Sequence, residues 1–260
     1  MAIPTISGGV FNFTTDGYSA PSFSGSTYIL GGVLAVFYQV WTDDYVYAAT
    51  SKGLKIYDIT SEGEYAYVTY SGGFNTVWAN DDKVFVGTTD DGVKYLNKTC
   101  ISGSVGSPYE LVTCLADLSD LTYYHELTSD DVRYIHGNDN VLCMITTSGV
   151  DVVKIDPQSY RSYTTISGAK KCFMTSSGRF YYMTLDTLYV MYTCLYDWTD
   201  VDNEYTVGSG IFESGIELND MFITEQTSSD NISNTIFTAT TSGAYVIDEG
   251  NDVYVVYYIE

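Results

Sequence analysis

The densest run of ionisable side chains in the sequence surrounds Trp198, where Asp197, Asp200, Asp202 and Glu204 crowd together. Carboxylates at Asp200, Asp202 and Glu204 alternate along the chain like the first half of a calcium loop, whose hard oxygen donors suit that ion. Tyr205 stands where such a loop needs its sharp-turn glycine, and no terminal Glu follows at the right distance. The spacing describes a weak calcium site or, more simply, a charged insertion loop. Other acidic pairs, Asp43-Asp44, Asp81-Asp82, Asp90-Asp91 and Asp130-Asp131, could serve as the two carboxylates of a glycoside hydrolase. Most of them fall at one place in a repeated pattern, in turns, where solvated acidic residues collect. Acid–base or nucleophilic catalysis needs a histidine or a raised carboxylate beside a nucleophile. Only His125 and His136 are present. His125-Glu126 opens like a zinc-protease motif, but Ser129 stands where the second His belongs. His136 ends an expected strand and reads as a core or channel residue. The expectation is a protein that is not an enzyme and carries no cofactor.

Aromatic side chains offer a different chemistry, the stacking of sugars. Trp41, Trp78 and Trp198 are the strongest platforms, and Trp41 and Trp78 both precede an Asn/Asp turn by two residues. The 26 Tyr residues could line such sites or fill strands, and filling strands is the commoner role. Five cysteines (Cys100, Cys114, Cys143, Cys172 and Cys194) form no Cys-x-x-Cys pair and read as free core thiols of a reducing compartment. Asn12, Asn97 and Asn231 open glycosylation triplets, a number that chance supplies in a chain this rich in Ser and Thr.

Charge narrows the partners. The 260 residues carry 33 Asp+Glu against 11 Lys+Arg, a formal net charge of −22. Nucleic-acid binding needs clustered cations on phosphates, and an anionic membrane surface needs the same. Both roles are therefore set aside. The residues after Met1 lack the basic patch and apolar run of a secretory signal, so the expected place is the cytoplasm. The longest apolar run, Tyr28 to Trp41, is broken by Gly31, Gly32 and Gln39 and is too short for a membrane helix.

The elements that position these residues repeat. Five segments share an acidic or Asn-rich turn, a short apolar strand ending near Thr, a polar turn usually ending in Gly, and a second strand. Asp43 to Asp58 is the first copy and Asp81 to Asn97 the second; Asn138 to Asp156, Ser177 to Val190 and Ile236 to Asp248 follow. The matching threonines, 50, 88, 146, 184 and 240, lie 38, 58, 38 and 56 residues apart. Each copy reads as a hairpin with one face inward. An earlier strand precedes each: Val36 to Val40, Asn75 to Ala79, Val132 to His136, Cys172 to Thr175 and Met221 to Glu225. A fourth strand follows, as at Ala66 to Thr69, Arg161 to Thr165 and Val253 to Ile259. Thr99 to Asp130 and Leu195 to Asn234 are long insertions. Five units of four strands, with no helical periodicity, predict an all-β five-bladed β-propeller over residues 28–260. Six blades and a pair of β-sandwiches are the alternatives.

The pattern Asp-Asp-x-Val-Tyr-x-Ala-Thr followed by Gly-Leu-x-Ile-Tyr-Asp, at Asp43 to Asp58, resembles the blades of short-repeat, WD-like β-propellers. The Gly-His and Trp-Asp dipeptides of true WD repeats are missing, so the resemblance implies the general blade and no particular function.

Residues 1–27 lie outside the repeat as an extended N-terminal arm, apolar through Phe11, Phe13 and Phe23. The arm would either donate a closing strand, with Ser26 to Leu30 as its best part, or pack on a neighbouring subunit through those three rings. High Tyr, Thr, Gly and Ser with low Lys is also the flavour of phage and virus particles. The leading expectation is a non-enzymatic subunit of a large assembly that binds other protein subunits. The assembly would be a virion formed in a host cytoplasm, with this chain at the capsid surface, neck or tail. A carbohydrate-binding propeller that meets a host glycan is the alternative, and a glycoside hydrolase comes third.

Overall fold

The computed structural model describes residues 5–7, 10–12, 36–41, 44–60, 63–104, 107–118, 127–155, 159–163, 166–176, 178–191, 204–206, 212, 214–227, 232–250 and 253–259. The chain divides into two compact units, Met1–Asp120 with Asp130–Arg133, and Leu121–Ser129 with Tyr134–Glu260. Among the described residues there are strands and short 3-10 turns and no α-helix. The all-β expectation holds.

Among the described residues five sheets each carry four strands in chain order, the second with a hairpin inserted before its last strand and the first extended to six strands by that hairpin. In the first unit, β1 (Thr5–Ser7) and β2 (Val10–Asn12) form a separate two-stranded sheet within the stretch read as an arm. The first large sheet joins β3 (Val36–Trp41), β4 (Tyr45–Thr50), β5 (Gly53–Asp58) and β6 (Gly63–Thr69). The second starts with β7 (Thr76–Ala79), β8 (Lys83–Gly87) and β9 (Val93–Asn97). Between β9 and the last strand of the second sheet, the chain makes a hairpin of β10 (Gly103–Ser104) and β11 (Ser107–Glu110), and β11 pairs parallel with β6. It then returns as β12 (Ala116–Asp117) to complete the second sheet against β9.

The third sheet is β13 (Val132–Gly137), β14 (Val141–Thr146), β15 (Val150–Lys154) and β16 (Ser159–Tyr163). The fourth is β17 (Lys171–Met174), β18 (Phe180–Met183), β19 (Leu188–Met191) and β20 (Glu204–Thr206). The fifth is β21 (Leu218–Thr227), β22 (Ile232–Thr240), β23 (Ala244–Gly250) and β24 (Val253–Ile259). All five expected first strands are strands. The insertions supplied β12, the β10–β11 hairpin and β20, which the sequence pattern had not marked.

The threonines that set the repeat have one job. Thr50, Thr88, Thr146, Thr184 and Thr240 end the second strand of their sheets, or stand next to its end. Each donates its Oγ1 across the turn to a backbone carbonyl, of Gly53 (2.8 Å), Gly92 (3.0 Å), Gly149 (3.2 Å), Thr187 (3.3 Å) and Gly243 (2.9 Å). The same oxygen accepts a backbone N–H from within the turn in four of them: from Lys52, Asp91, Ser148 and Ser242. One short side chain thus satisfies backbone polar groups where a buried strand end passes into an exposed turn. Gly53 sits at φ +128°, and a Cβ there would lie 1.9 Å from the Val68 carbonyl oxygen, so only glycine fits. Asn80 and Asn138 build the preceding turn, each accepting two backbone N–H groups on Oδ1, from Asp82 and Lys83 and from Asn140 and Val141.

The hairpins were expected to bury one face, yet every residue of β14 and of β18 is buried. Their sequences, VLCMIT and FYYM, are continuous apolar runs rather than alternations, and a strand covered on both faces needs that. The first unit packs Tyr47, Leu54 and Ile56 against Val77, Val84 and Leu96. The second packs Tyr181, Met183 and Leu188 against Met221, Ile223 and Ile236.

Candidate functional site

In the second unit the first strands of three successive sheets lie side by side in one direction and in register. Lys171 Nζ lies 5.3 Å from the Tyr134 ring, His136 stacks on Phe173 at 4.0 Å, and Asn138 Nδ2 donates to the Thr175 carbonyl at 2.8 Å. Each of these contacts joins residues 37 apart. From β17 to β21 the same holds at a separation of 49. Lys171 pairs with Asp220 (2.5 Å), Phe173 meets Phe222 edge-on (6.4 Å), and Ser176 donates N–H and O–H to Glu225 (2.6 and 2.5 Å). Polar bonds hold the two ends of this pair and rings fill the middle.

The ring row His136, Phe173, Phe222 leads outward. His136 accepts the Met174 N–H on Nδ1 (3.2 Å), and burial pushes its pKa down to about 3, so the ring is neutral at pH 7. Phe222 is 60% exposed, and its cross-strand neighbour Phe237 is 42% exposed. Cross-strand neighbours point to one face, so the two phenyl rings form a single apolar patch, continued by the Cα register to Val246 of β23. Covering a large apolar side chain is worth about 1.5–3 kcal/mol. A phenyl ring neither takes nor gives a proton, so what this patch itself offers is apolar contact.

A second cluster lies in the first unit. Lys94 pairs with Asp91 (2.6 Å) and with Asp117, and Tyr70 donates its hydroxyl to Asp91 (2.6 Å). Lys94 and Tyr70 together hold the Asp91 carboxyl below its usual pKa. Burial and the Asp91 bond push the Tyr70 hydroxyl up to about 12. The cluster ties β9 to β12 and to the loop after β6, which is a structural use of charge.

Of the residues singled out from the sequence, those described fall on different strands and turns. Trp78 is 8% exposed and stacks on Phe85 at 5.8 Å, so its indole fills the core of the first unit. Trp41 ends β3 opposite Val46, and Trp198 lies outside the described residues. Glu204 opens β20 opposite Met191, while Asp197, Asp200 and Asp202 lie outside the described residues. Among the described residues no group of three His, Cys, Asp or Glu is placed to hold a metal ion. Phe11 is in β2 opposite Ile6; Phe13, Phe23, Ser26 to Leu30 and His125 lie outside the described residues. Asp81, Asp82, Asp90 and Asp91 are exposed turn residues, as their spacing suggested.

Phe222 and Phe237 were missed, although a signal for them exists. Phe237 stands three residues before its clamp threonine, as do Tyr47, Phe85 and Tyr181. The cross-strand partner of Phe85 is Trp78, that of Tyr181 is Phe173 and that of Phe237 is Phe222. Aligned on the threonines, the repeated aromatic position is therefore Trp78, Phe173 and Phe222, and not the three tryptophans.

No protein-family model matches the chain, and no curated protein matches it in sequence. Among solved structures it is similar to the extracellular domain of BT4673 from B. thetaiotaomicron, assigned there to a one-component system. The TM-score is 0.58 at 13% identity, over 87% of this chain and 30% of that one. A second crystal structure, which assigns BT4673 to a hybrid two-component system, gives a TM-score of 0.56 at 13% identity over 87% and 29%. The computationally designed protein Ika8 is similar at a TM-score of 0.53 and 13% identity, over 85% of this chain and 60% of that one. This chain spans about 30% of the length of the first two. At such identities the likeness concerns the fold alone. No helix among the described residues is long and apolar enough to cross a membrane.

Proposed function

We propose that this chain is a non-enzymatic binding subunit of a larger assembly, built as a five-bladed β-propeller. Two observations support the architecture: the five sheets that each carry four strands in chain order, the first extended by the inserted hairpin, and the in-register first strands of the last three. First strands running side by side in one direction is the arrangement that blades around a common axis require. The observation that carries the binding role is the open apolar patch of Phe222 and Phe237 on the last sheet. Exposed aromatic pairs of this kind are costly in water and mark contact surfaces. The occupant is another protein subunit, with cations at its rim to meet a chain of net charge −22. Richness in Tyr, Thr, Gly and Ser with few Lys fits a phage or virus particle.

A second reading, a carbohydrate-binding propeller, is favoured by the repeated ring position, because stacking on sugar faces uses such rings. The two part on one experiment. Mass-calibrated chromatography of the native source, with residues 1–27 intact and deleted, gives a very large complex for an assembly subunit, and loss of the chain on deletion makes the arm its tether. A free monomer in both cases, retained on an immobilised glycan, supports the second reading and defeats the first.

A further inference from the structure

Four of the five cysteines are described, and all four are reduced. They fall into two neighbouring pairs with different surroundings. Cys143 and Cys172 are buried in the second unit: the Cys143 thiol donates to the His136 carbonyl (3.2 Å) and the Cys172 thiol to the Cys143 carbonyl (3.4 Å). Burial raises the Cys143 pKa well above that of a free thiol. Cys100 and Cys114 differ in being partly exposed, at the ends of two single-turn 3-10 helices, Lys98–Cys100 and Val112–Cys114.

Topology brings this second pair together. β9 and β12 pair antiparallel through Tyr95 with Ala116 and Lys94 with Asp117, so the chain leaving β9 and the chain entering β12 meet at one end of the second sheet. Each helix closes on itself there, Ile101 N–H to the Lys98 carbonyl and Cys114 N–H to the Leu111 carbonyl. Cys100 and Cys114 are thus neighbours at that end of the sheet, and the Cys114 thiol together with burial pushes the Cys100 thiol above its ordinary value. Between them lie β10 and β11, and β11 covers the outer edge of β6. That edge would otherwise present unpaired backbone groups, a hazard for edge-to-edge aggregation. The strand pairing is short, two residue pairs held by Tyr109 and Glu110 on Ala66 and Tyr67, extended by Leu111 N–H on the Tyr67 carbonyl, with the Leu111 side chain buried in the core of the unit.

We propose that Cys100 and Cys114 are a reversible dithiol–disulfide pair that locks the β10–β11 hairpin over the edge of the first sheet. The oxidant is a small-molecule disulfide, with oxidised glutathione as the probe. One protein thiolate attacks a glutathione sulfur, forming a mixed disulfide and releasing one glutathione thiolate. The second protein thiol gives up its proton and attacks the protein sulfur of that mixed disulfide, closing the Cys100–Cys114 bond and releasing the second glutathione. Two protein thiols lose two electrons, and one glutathione disulfide gains them. The bond would close a short loop in a partly exposed segment, while the buried pair stays out of reach of the reagent.

The test uses the full chain in an oxidised-to-reduced glutathione buffer, followed by alkylation and mass mapping. The expected product lacks two alkylatable thiols and carries a Cys100–Cys114 peptide, while Cys143 and Cys172 are alkylated only after unfolding. Chymotrypsin should cut after Tyr109, which is 52% exposed, and the two fragments should stay joined until a reductant is added. Cys100→Ser and Cys114→Ser should each trap a glutathione adduct on the remaining thiol. No reaction, glutathione retained on both sulfurs of the natural chain, a bond to Cys194, or equal oxidation of the buried pair would each overturn the proposal.

Discussion

The second and fifth sheets are built to one plan and end in opposite environments. Both turn through a clamp threonine, Thr88 and Thr240, and both set an aromatic pair in the same register of their first two strands. In the second sheet the pair is Trp78 and Phe85, stacked and buried. In the fifth it is Phe222 and Phe237, facing solvent. The repeat therefore decides where a strand turns and which positions share a face. Whether that face becomes core or contact surface depends on what packs against it, which no single repeat encodes.

The sharpest way to break this comparison is to truncate the equivalent rings. Trp78→Ala should cost about 3–5 kcal/mol, read as a fall in the urea midpoint, whereas Phe222→Ala should stay within about 0.5 kcal/mol. Equal losses would mean that the two positions are not different in kind. The clamps should grade in the same sense. Thr146, whose bond is buried, should lose about 1–2 kcal/mol on change to Val, and the part-buried Thr240 clamp less than that. The same denaturation series reads both variants.

His136 gives a smaller effect with a defined sign. Its folded pKa, near 3, lies below the ordinary value of about 6.5. As pH falls from about 6.5 towards 3 the unfolded chain takes up a proton that the folded chain refuses, so stability declines across that window. Above about pH 7 the group contributes no slope. Urea midpoints between pH 7.5 and 5 should fall less steeply in His136→Phe than in the natural chain. An unchanged slope would place the ring in water and remove it from the row that leads to Phe222.

Much of this plan was legible because turns are local. Threonine, glycine and Asn/Asp clusters act within three or four residues of themselves, so the clamps at 50, 88, 146, 184 and 240 and the strands before them could be read directly. Short strands were not legible: β12 and β20 have two and three residues, too few to show a period. β11 pairs parallel with β6, a contact between residues about forty apart that no local pattern announces. Tryptophan drew attention for its size, yet Trp78 is buried, and the exposed rings are phenylalanines of two neighbouring strands, β21 and β22. Continuous apolar runs such as Val141 to Ile145 hide the facing of a strand altogether, since both of its sides are covered.

The proposed contact surface is the fifth-sheet patch of Phe222 and Phe237. Its most direct test is the native mass of complexes containing this chain and of a Phe222→Ser, Phe237→Ser double variant, both first shown to melt cooperatively. The natural chain should travel in a very large complex, and the folded variant should run alone at the 28.8 kDa monomer mass. A natural chain that runs as a monomer, or a variant that keeps its place in the complex, would contradict the account.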